Sequence, residues 1–153
     1  MKTYMEKQEE PKKVRPRLKV LVAVDGSEVS DLTVKRAGQY TRLAKVDLTL
    51  LTVIEDVVRH KDIPDTPMFR ERVKQAEEML SRAKTDLVAN GVNCETKIAV
   101  GPVAAEIVRI AEEEGVTSIF MGSRGNRGLK RMLLGSVADD VIRHAHCPVT
   151  IIR

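Results

Sequence analysis

Five short stretches of the chain are rich in apolar residues and predict the strands of a sheet. KVLVAV at 19–24 is a continuous apolar run, typical of a strand that is buried on both faces. VDLTLLTVI at 46–54, TSIFMG at 117–122 and PVTIIR at 148–153 are further apolar runs. VNCETKIAV at 92–100 instead alternates between apolar and polar positions, which predicts a half-exposed strand at or near an edge of the sheet.

Between these runs, apolar residues recur at steps of three and four, the spacing of an amphipathic helix. The first predicted helix follows Ser27, a favoured N-cap, and the second ends at Asn90-Gly91. The third lies between Pro102 and Gly115, and the last runs from 136 to 146. The predicted inward positions are Val29, Leu32, Ala37, Tyr40 and Leu43, then Val73, Ala76, Leu80, Ala83 and Leu87, then Val103, Ile107, Ile110 and Ala111. The charged segment 55–67, with two prolines, predicts a loop.

The order β-α-β-α-β-α-β-α-β predicts an α/β fold: one domain with a five-stranded parallel sheet and helices on both faces. In such sheets, ligands bind beyond the carboxyl ends of the strands, where the strand order switches. This rule selects four places in the sequence: Asp25-Gly26-Ser27, Val53 to Glu55, Gly101, and the residues from Gly122 onward.

Charge is concentrated at the N-terminus. Residues 1–17 hold six Lys or Arg and three Glu, a net charge of +3, whereas the whole chain of 153 residues carries +4. The remaining 136 residues therefore carry only +1, which does not favour nucleic acid as the main partner. We expect 1–17 to be a disordered extension and 18–153 to form the domain.

Other bulk properties narrow the class of protein. No apolar run approaches the roughly 18 residues of a membrane-spanning helix, and no signal-peptide core is present, so we expect a cytoplasmic protein without a membrane partner. The two cysteines, Cys94 and Cys147, are interpreted as small apolar packing residues. His144, His146 and Cys147 do not predict a metal site, because helix residues two apart point in nearly opposite directions.

The stretch GSRGNRGLKRMLLGS at 122–136 contains the candidate ligand-binding residues. It contains no acidic residue, and Gly122, Gly125, Gly135 and Ser136 follow the spacing G-x2-G-x9-G-S. Glycine lets the backbone approach a ligand closely, and a helix N-terminus presents unpaired N–H donors, so the pattern is typical of a phosphate site. A loop that is only solvated remains the alternative. Asp139 and Asp140 are predicted to lie in the first helical turn as a Ser-x-x-Asp cap.

GSRGNRGLKRMLLGSVADDVIRHAHCPVTIIR, together with VLVAVDGSEVS near the start, resembles the ATP-binding branch of the universal stress protein family over residues 18–153. The resemblance implies a Rossmann-like sheet of the adenine nucleotide alpha hydrolase type, with strand order 3-2-1-4-5. It implies ATP as ligand, with Mg²⁺ arriving on the phosphates. The implied nucleotide-binding residues are Ala23, Val24, Asp25, Val53, Met121, Gly122, Ser123, Arg124, Gly125, Arg127, Gly135, Ser136 and Val137.

Family members commonly dimerise through the last strand, so the resemblance also implies a homodimer formed by Val149, Thr150, Ile151 and Ile152. No catalytic constellation stands out, and the leading hypothesis is a non-catalytic, nucleotide-dependent regulator of the stress response. Two alternatives stay open. One is a slow ATPase or nucleotidyl-transfer enzyme, for which Asp25 is the candidate base. The other is a ligand-free interaction module of the same fold.

Overall fold

A computed structural model of the chain describes residues 18–55, 66–125 and 134–153. Within them, five parallel strands form one sheet in the order β3-β2-β1-β4-β5. The strands are β1 (Lys19–Ala23), β2 (Asp47–Glu55), β3 (Cys94–Gly101), β4 (Ser118–Gly122) and β5 (Val149–Ile152). The predicted fold class and strand order are confirmed. β1 pairs with both β2 and β4, so the switch in strand order lies beside β1.

Four helices connect the described strands: α1 (Glu28–Ala44), α2 (Pro67–Ala89), α3 (Val103–Glu113) and α4 (Ser136–His144). Ser27 is the N-cap of α1 and its side chain accepts from the N–H of Ser30, as predicted. Helix α2 begins earlier than predicted, because Pro67 occupies its first turn and Thr66 caps it. The rest of the predicted loop at 56–65, and the predicted extension at 1–17, lie outside the described residues.

The core has two layers, one on each face of the sheet. Val20 and Val22 of β1 point into the layer beneath α1 and α2, while Leu21 points into the layer beneath α3 and α4. β1 is therefore buried on both faces, as its unbroken apolar run predicted. The edge strand β3 contributes Cys94 to the first layer and Ala99 to the second. None of the described helices is both long enough and apolar enough to cross a membrane.

The inward face of α1 differs from the prediction. Tyr40 and Leu43 are 48% and 81% exposed, and the buried positions are instead Ser30, Thr33, Val34, Ala37, Gly38 and Thr41. Thr33 and Thr41 can be buried because their hydroxyl groups donate to the carbonyls of Val29 and Ala37, one helical turn earlier. The polar residues of this helix thus pack against the sheet, and two of its larger apolar residues face outward.

Leu43→Ala and Leu87→Ala form a matched pair that tests this arrangement. Leu43 is 81% exposed, whereas Leu87 is 6% exposed and lies in the core beneath α1 and α2. We expect Leu43→Ala to change the free energy of unfolding by less than about 0.5 kcal/mol, and Leu87→Ala to lower it by about 2–5 kcal/mol. Urea denaturation measures both. Similar losses would show that Leu43 is buried.

Both cysteines of the chain are free thiols. Cys94 is buried, and its burial raises the pKa of the thiol to about 11. Burial also raises the pKa of Cys147, which packs at the margin of the second core layer. Raised pKa values disfavour the reactive thiolate, in agreement with the interpretation of both cysteines as packing residues.

Candidate nucleotide-binding cleft

A cleft of about 500 Å³ opens beyond the carboxyl ends of β1, β2 and β4, beside the N-terminus of α4. This is the place at which parallel sheets bind ligands. The cleft is lined by Ala23, Val24, Asp25, Ser30, Leu51, Val53, Glu55, Arg72, Val103, Ile107, Met121, Gly122, Ser123, Arg124, Gly125, Gly135, Ser136, Val137 and Ala138.

Every described residue of the site implied by the resemblance lies on this wall. Residues from four separate parts of the sequence are thereby brought together, including Asp25 after β1 and the glycines after β4. Arg127 is the exception, since it falls outside the described residues. Gly101, which the strand-end rule also selected, does not line the cleft, because it ends the edge strand β3.

The three motif glycines sit where a Cβ atom would lie close to its surroundings, most closely at Gly122 and Gly125. A Cβ atom at Gly122 would lie 2.9 Å from Cγ1 of Val29, and one at Gly135 would lie 3.2 Å from the carbonyl oxygen of Ser123. At Gly125 it would lie 2.6 Å from Oδ2 of Asp25, so the turn after β4 directly abuts the carboxylate that follows β1. The spacing of the glycines therefore reflects close packing at the mouth of the cleft.

Helix α4 begins without a side-chain cap. Its N-cap is Gly135, in an extended conformation, so no cap side chain accepts from the first turn as Ser27 does in α1 and Thr66 does in α2. Asp139 lies in the first turn as predicted, but the predicted Ser-x-x-Asp cap is wrong: Ser136 is the first helical residue, and Asp139 pairs with Arg143 at 2.9 Å. The first turn of the helix lines the cleft, and a helix N-terminus suits an anion.

Ser123 links the turn to two neighbouring elements. Its N–H donates to the carbonyl of Ile152 in β5 at 2.7 Å, and its carbonyl accepts from the N–H of Gly135 at 2.7 Å. The side chain is different: Oγ is buried and has no hydrogen-bond partner in the part of the chain that the structure describes, although the residue lines the cleft and is only 1% exposed. A buried hydroxyl without a partner costs about 1–3 kcal/mol, so this atom marks a position where a polar ligand would be stabilised.

Asp25 is held in place by its own local turn. Its Oδ1 accepts from the N–H of Ser27 at 3.0 Å and from the Ser27 hydroxyl at 2.7 Å, and its backbone N–H donates to Oγ of Ser30 at 3.1 Å. The carboxylate is therefore fixed at the exposed end of β1 while it lines the cleft. Ser30 was not predicted as a site residue, although it is part of what positions Asp25.

Much of the remaining cleft wall is apolar. It includes Val53 of β2, Met121 of β4 and further aliphatic side chains that sequence reasoning missed, namely Leu51, Val103 and Ile107. Val24 lines the cleft, but its backbone groups are already engaged: its N–H donates to the carbonyl of Leu51, and its carbonyl accepts from the Thr52 hydroxyl. Arg72 near the start of α2 and Ala138 of α4 were also missed, whereas Glu55 lies at a strand end that the rule selected.

The family model of the universal stress proteins matches residues 16–153 of the chain. The chain belongs to the universal stress protein family. Among curated relatives, universal stress protein YxiE of Bacillus subtilis is 35% identical over 145 residues, covering 88% of this chain and 98% of the relative. Universal stress protein MJ0577 of Methanocaldococcus jannaschii is 31% identical over 152 residues, covering 88% and 94%. The resemblance seen in the sequence is confirmed.

Solved structures of family members share the fold. The structure of MJ0577 superposes with a TM-score of 0.80 at 32% identity, over 89% of this chain and 95% of the other. A universal stress protein of Archaeoglobus fulgidus was solved in complex with dAMP. It superposes with a TM-score of 0.69 at 27% identity, over 89% of this chain and 98% of the other. An adenine nucleotide is therefore a ligand of at least one structural relative. In the described residues of this family member, no cluster of three or more His, Cys, Asp or Glu could hold a metal ion.

Proposed function

We propose that the cleft binds ATP and that this universal stress protein is a nucleotide-dependent regulator rather than an enzyme. The observation that carries the proposal is the start of α4, where the N-cap is a glycine, beside the buried Ser123 hydroxyl, which has no partner among residues 18–55, 66–125 and 134–153; both line one cleft. Together they present anion-binding donors opposite an apolar wall, the combination that a nucleotide requires. The dAMP complex of the Archaeoglobus relative supports an adenine nucleotide as the ligand class.

The phosphates lie at the glycine turn. Gly125 and Gly135 keep the backbone open to an anion, the N–H groups of Ser136 and Val137 face the cleft, and Oγ of Ser123 donates to a phosphate oxygen. Arg124, which is exposed on the cleft wall, adds a positive charge. Magnesium arrives coordinated by the phosphates rather than by a protein-built site, as is usual for nucleotide-bound Mg²⁺.

The nucleoside lies over the end of β1, between the glycine turn after β4 and the end of β2. Ala23, Val53 and Met121 supply apolar surface for the base, and the fixed carboxylate of Asp25 accepts a hydrogen bond from a ribose hydroxyl. β2 and β4 flank β1 and are two strand spacings apart, about 10 Å, which leaves room for a nucleoside over the end of β1.

A non-catalytic role is supported by what the cleft contains. Among the described residues of its wall there is no histidine or cysteine, and the carboxylates are those of Asp25 and Glu55. Oδ1 of Asp25 already accepts two hydrogen bonds from Ser27, which favours a positioning role over that of a general base.

Calorimetry with the purified full-length chain tests the proposal. We expect ATP with Mg²⁺ to bind at one site per chain with a micromolar dissociation constant, about −8 kcal/mol. Mass spectrometry of small molecules released by denaturation should show an adenine nucleotide. A protein that is purified empty and releases no heat with ATP would overturn the nucleotide assignment and leave the fold untouched.

We further propose that the chain forms a homodimer through the free edge of β5. The N–H of Ile119 donates to the carbonyl of Pro148, and that of Ser123 donates to Ile152. By the alternation of a parallel ladder, the backbone groups of Thr150 then face β4, and those of Val149 and Ile151 face outward. β5 is apolar and carries no charge along its length, so its open edge suits pairing with a second chain.

Proline substitution separates the two edges of β5. Ile151→Pro removes an outward N–H and should give a folded monomer, because proline is tolerated where the N–H of an edge strand faces solvent. Thr150→Pro removes an inward N–H and should lower stability in addition. Size-exclusion chromatography with light scattering, with circular dichroism as the check on folding, measures both effects. If Ile151→Pro stayed fully dimeric, the interface would lie elsewhere.

A further inference from the structure

Arg72 is a cleft residue that the glycine motif does not include. It lies near the start of α2, fifty positions before Gly122, yet its side chain lines the same cleft. Its Nη2 donates to the backbone carbonyl of Glu55, at the carboxyl end of β2, at 3.2 Å. The guanidinium is therefore tethered at the carboxyl end of β2, where Glu55 and the apolar Val53 also line the cleft.

The position of this tether separates Arg72 from the phosphate turn. β2 lies two strand spacings, about 10 Å, from β4, where the glycines and Ser123 begin. Arg124 already supplies a positive charge at that end. A cation at the β2 end instead adjoins the aliphatic walls that Leu51, Val53 and Ile107 form.

We infer that the guanidinium of Arg72 covers the purine base of the bound nucleotide and forms a cation–π contact with it. The inference rests on the proposed function, since it names a residue of the same site. A guanidinium is planar and always charged, and it stacks on aromatic rings more readily than an ammonium group does. It carries five N–H donors, and one of them donates to the Glu55 carbonyl, which places the exposed guanidinium at the end of β2. Aliphatic side chains form the floor of the base pocket and Arg72 forms its cover.

Binding of three ligands to Arg72→Ala tests the assignment. We expect the affinities for ATP and for AMP to fall by the same factor, about fivefold, the size of an exposed cation–π contact. The affinity for inorganic tripolyphosphate should stay within twofold of that of the wild type, because this ligand has no base. Arg82→Ala is the matched control: it removes the same charge from an exposed position of α2 that is not part of the cleft wall, and should bind all three ligands as the wild type does.

Arg72→Gln tests the charge of the side chain. Glutamine keeps a planar N–H donor, two bonds closer to the backbone than Nη2, but loses the charge, so we expect the same loss of ATP and AMP affinity as with Arg72→Ala. Wild-type affinity in Arg72→Gln would overturn the inference and leave Arg72 as a link between α2 and β2. A lower affinity for ATP or tripolyphosphate together with an unchanged affinity for AMP would also overturn the inference, because Arg72 would then reach the phosphates.

The outcomes also distinguish this inference from the proposed function. If the wild type binds ATP and Arg72→Ala binds it equally well, only the role of Arg72 fails. If the wild type binds none of the three ligands, both assignments fail. Thermal melting of each ligand-free variant shows whether a change in affinity reflects a change in folding.

Discussion

Gly135→Val is expected to abolish ATP binding, with a loss of more than about 100-fold, while the chain stays folded. The valine side chain would occupy the space at the start of α4 that the proposal gives to phosphate, and the hydrogen bonds from the first-turn N–H groups to a charged ligand are each worth about 1.5–3 kcal/mol. The backbone of Gly135 has φ −76° and ψ 158°, which other residues adopt without strain. Calorimetry with ATP and Mg²⁺ measures the affinity.

Gly135→Val should lower the free energy of unfolding only slightly, and this loss can be measured separately from the loss of ATP affinity. A Cβ atom at Gly135 lies 3.2 Å from the Ser123 carbonyl oxygen and 3.6 Å from Cα of Arg124, so the turn has to yield by only a few tenths of an ångström. Since valine is also a poor N-cap, we expect the free energy of unfolding to fall by about 1 kcal/mol. Gly135→Ala is the graded control and should lose less affinity than the valine variant. Full ATP affinity in Gly135→Val would move the phosphates away from α4.

Asp25→Ala is expected to lower the affinity for ATP by about 10- to 100-fold and to leave the affinity for tripolyphosphate nearly unchanged. The reason is that the proposal places Asp25 at the ribose, and a hydrogen bond to a charged acceptor is worth about 1.5–3 kcal/mol. Parallel titrations of the two ligands measure the difference. Equal losses for both would place Asp25 at the phosphate end of the cleft.

Asp25→Asn is the matched variant for this experiment. Its amide oxygen can still accept from the N–H and the hydroxyl of Ser27, so the turn after β1 keeps its shape while the charge is removed. We expect its ATP affinity to fall by about tenfold with little change in melting temperature. If Asp25→Asn bound as the wild type and only Asp25→Ala failed, the residue would act by shaping the turn rather than by its charge.

The sheet was predictable from the sequence because its signal is local. β1 reads as an unbroken apolar run and β2 as a largely apolar one, and the connecting segments carry recognisable caps such as Ser27. The strand order did not follow from these local signals; it came from the family resemblance, and the parallel pairing of β1 with β2 and β4 agrees with it.

The inward face of α1 was mispredicted for a physical reason. Hydrophobic periodicity assumes that polar side chains face water, whereas Thr33 and Thr41 satisfy their hydroxyl groups on carbonyls of their own helix and can pack against the sheet. Leu43 was counted as core only because its spacing matched. Hydrophobic periodicity does not take account of hydroxyl groups that form hydrogen bonds within their own helix.

The two ends of the candidate site differ in how far the sequence could predict them. The phosphate end is contiguous in sequence, from Gly122 to Val137, so a motif could reveal it, and its described residues other than Leu134 line the cleft. The base end is assembled from separate elements: Arg72 enters from α2, and Val103 and Ile107 enter from α3. Only the tertiary arrangement of those helices over the sheet brings them together, so no spacing in the sequence could have indicated them.

Ser123 donates its peptide N–H to β5 and accepts at its carbonyl from the N-cap of α4, so one residue touches both the phosphate end and the proposed subunit edge. If nucleotide and partner each prefer one position of this residue, their binding energies are linked, and by reciprocity each must strengthen or weaken the other by the same factor. The ATP affinity measured for this protein would then depend on the protein concentration at which the titration is run.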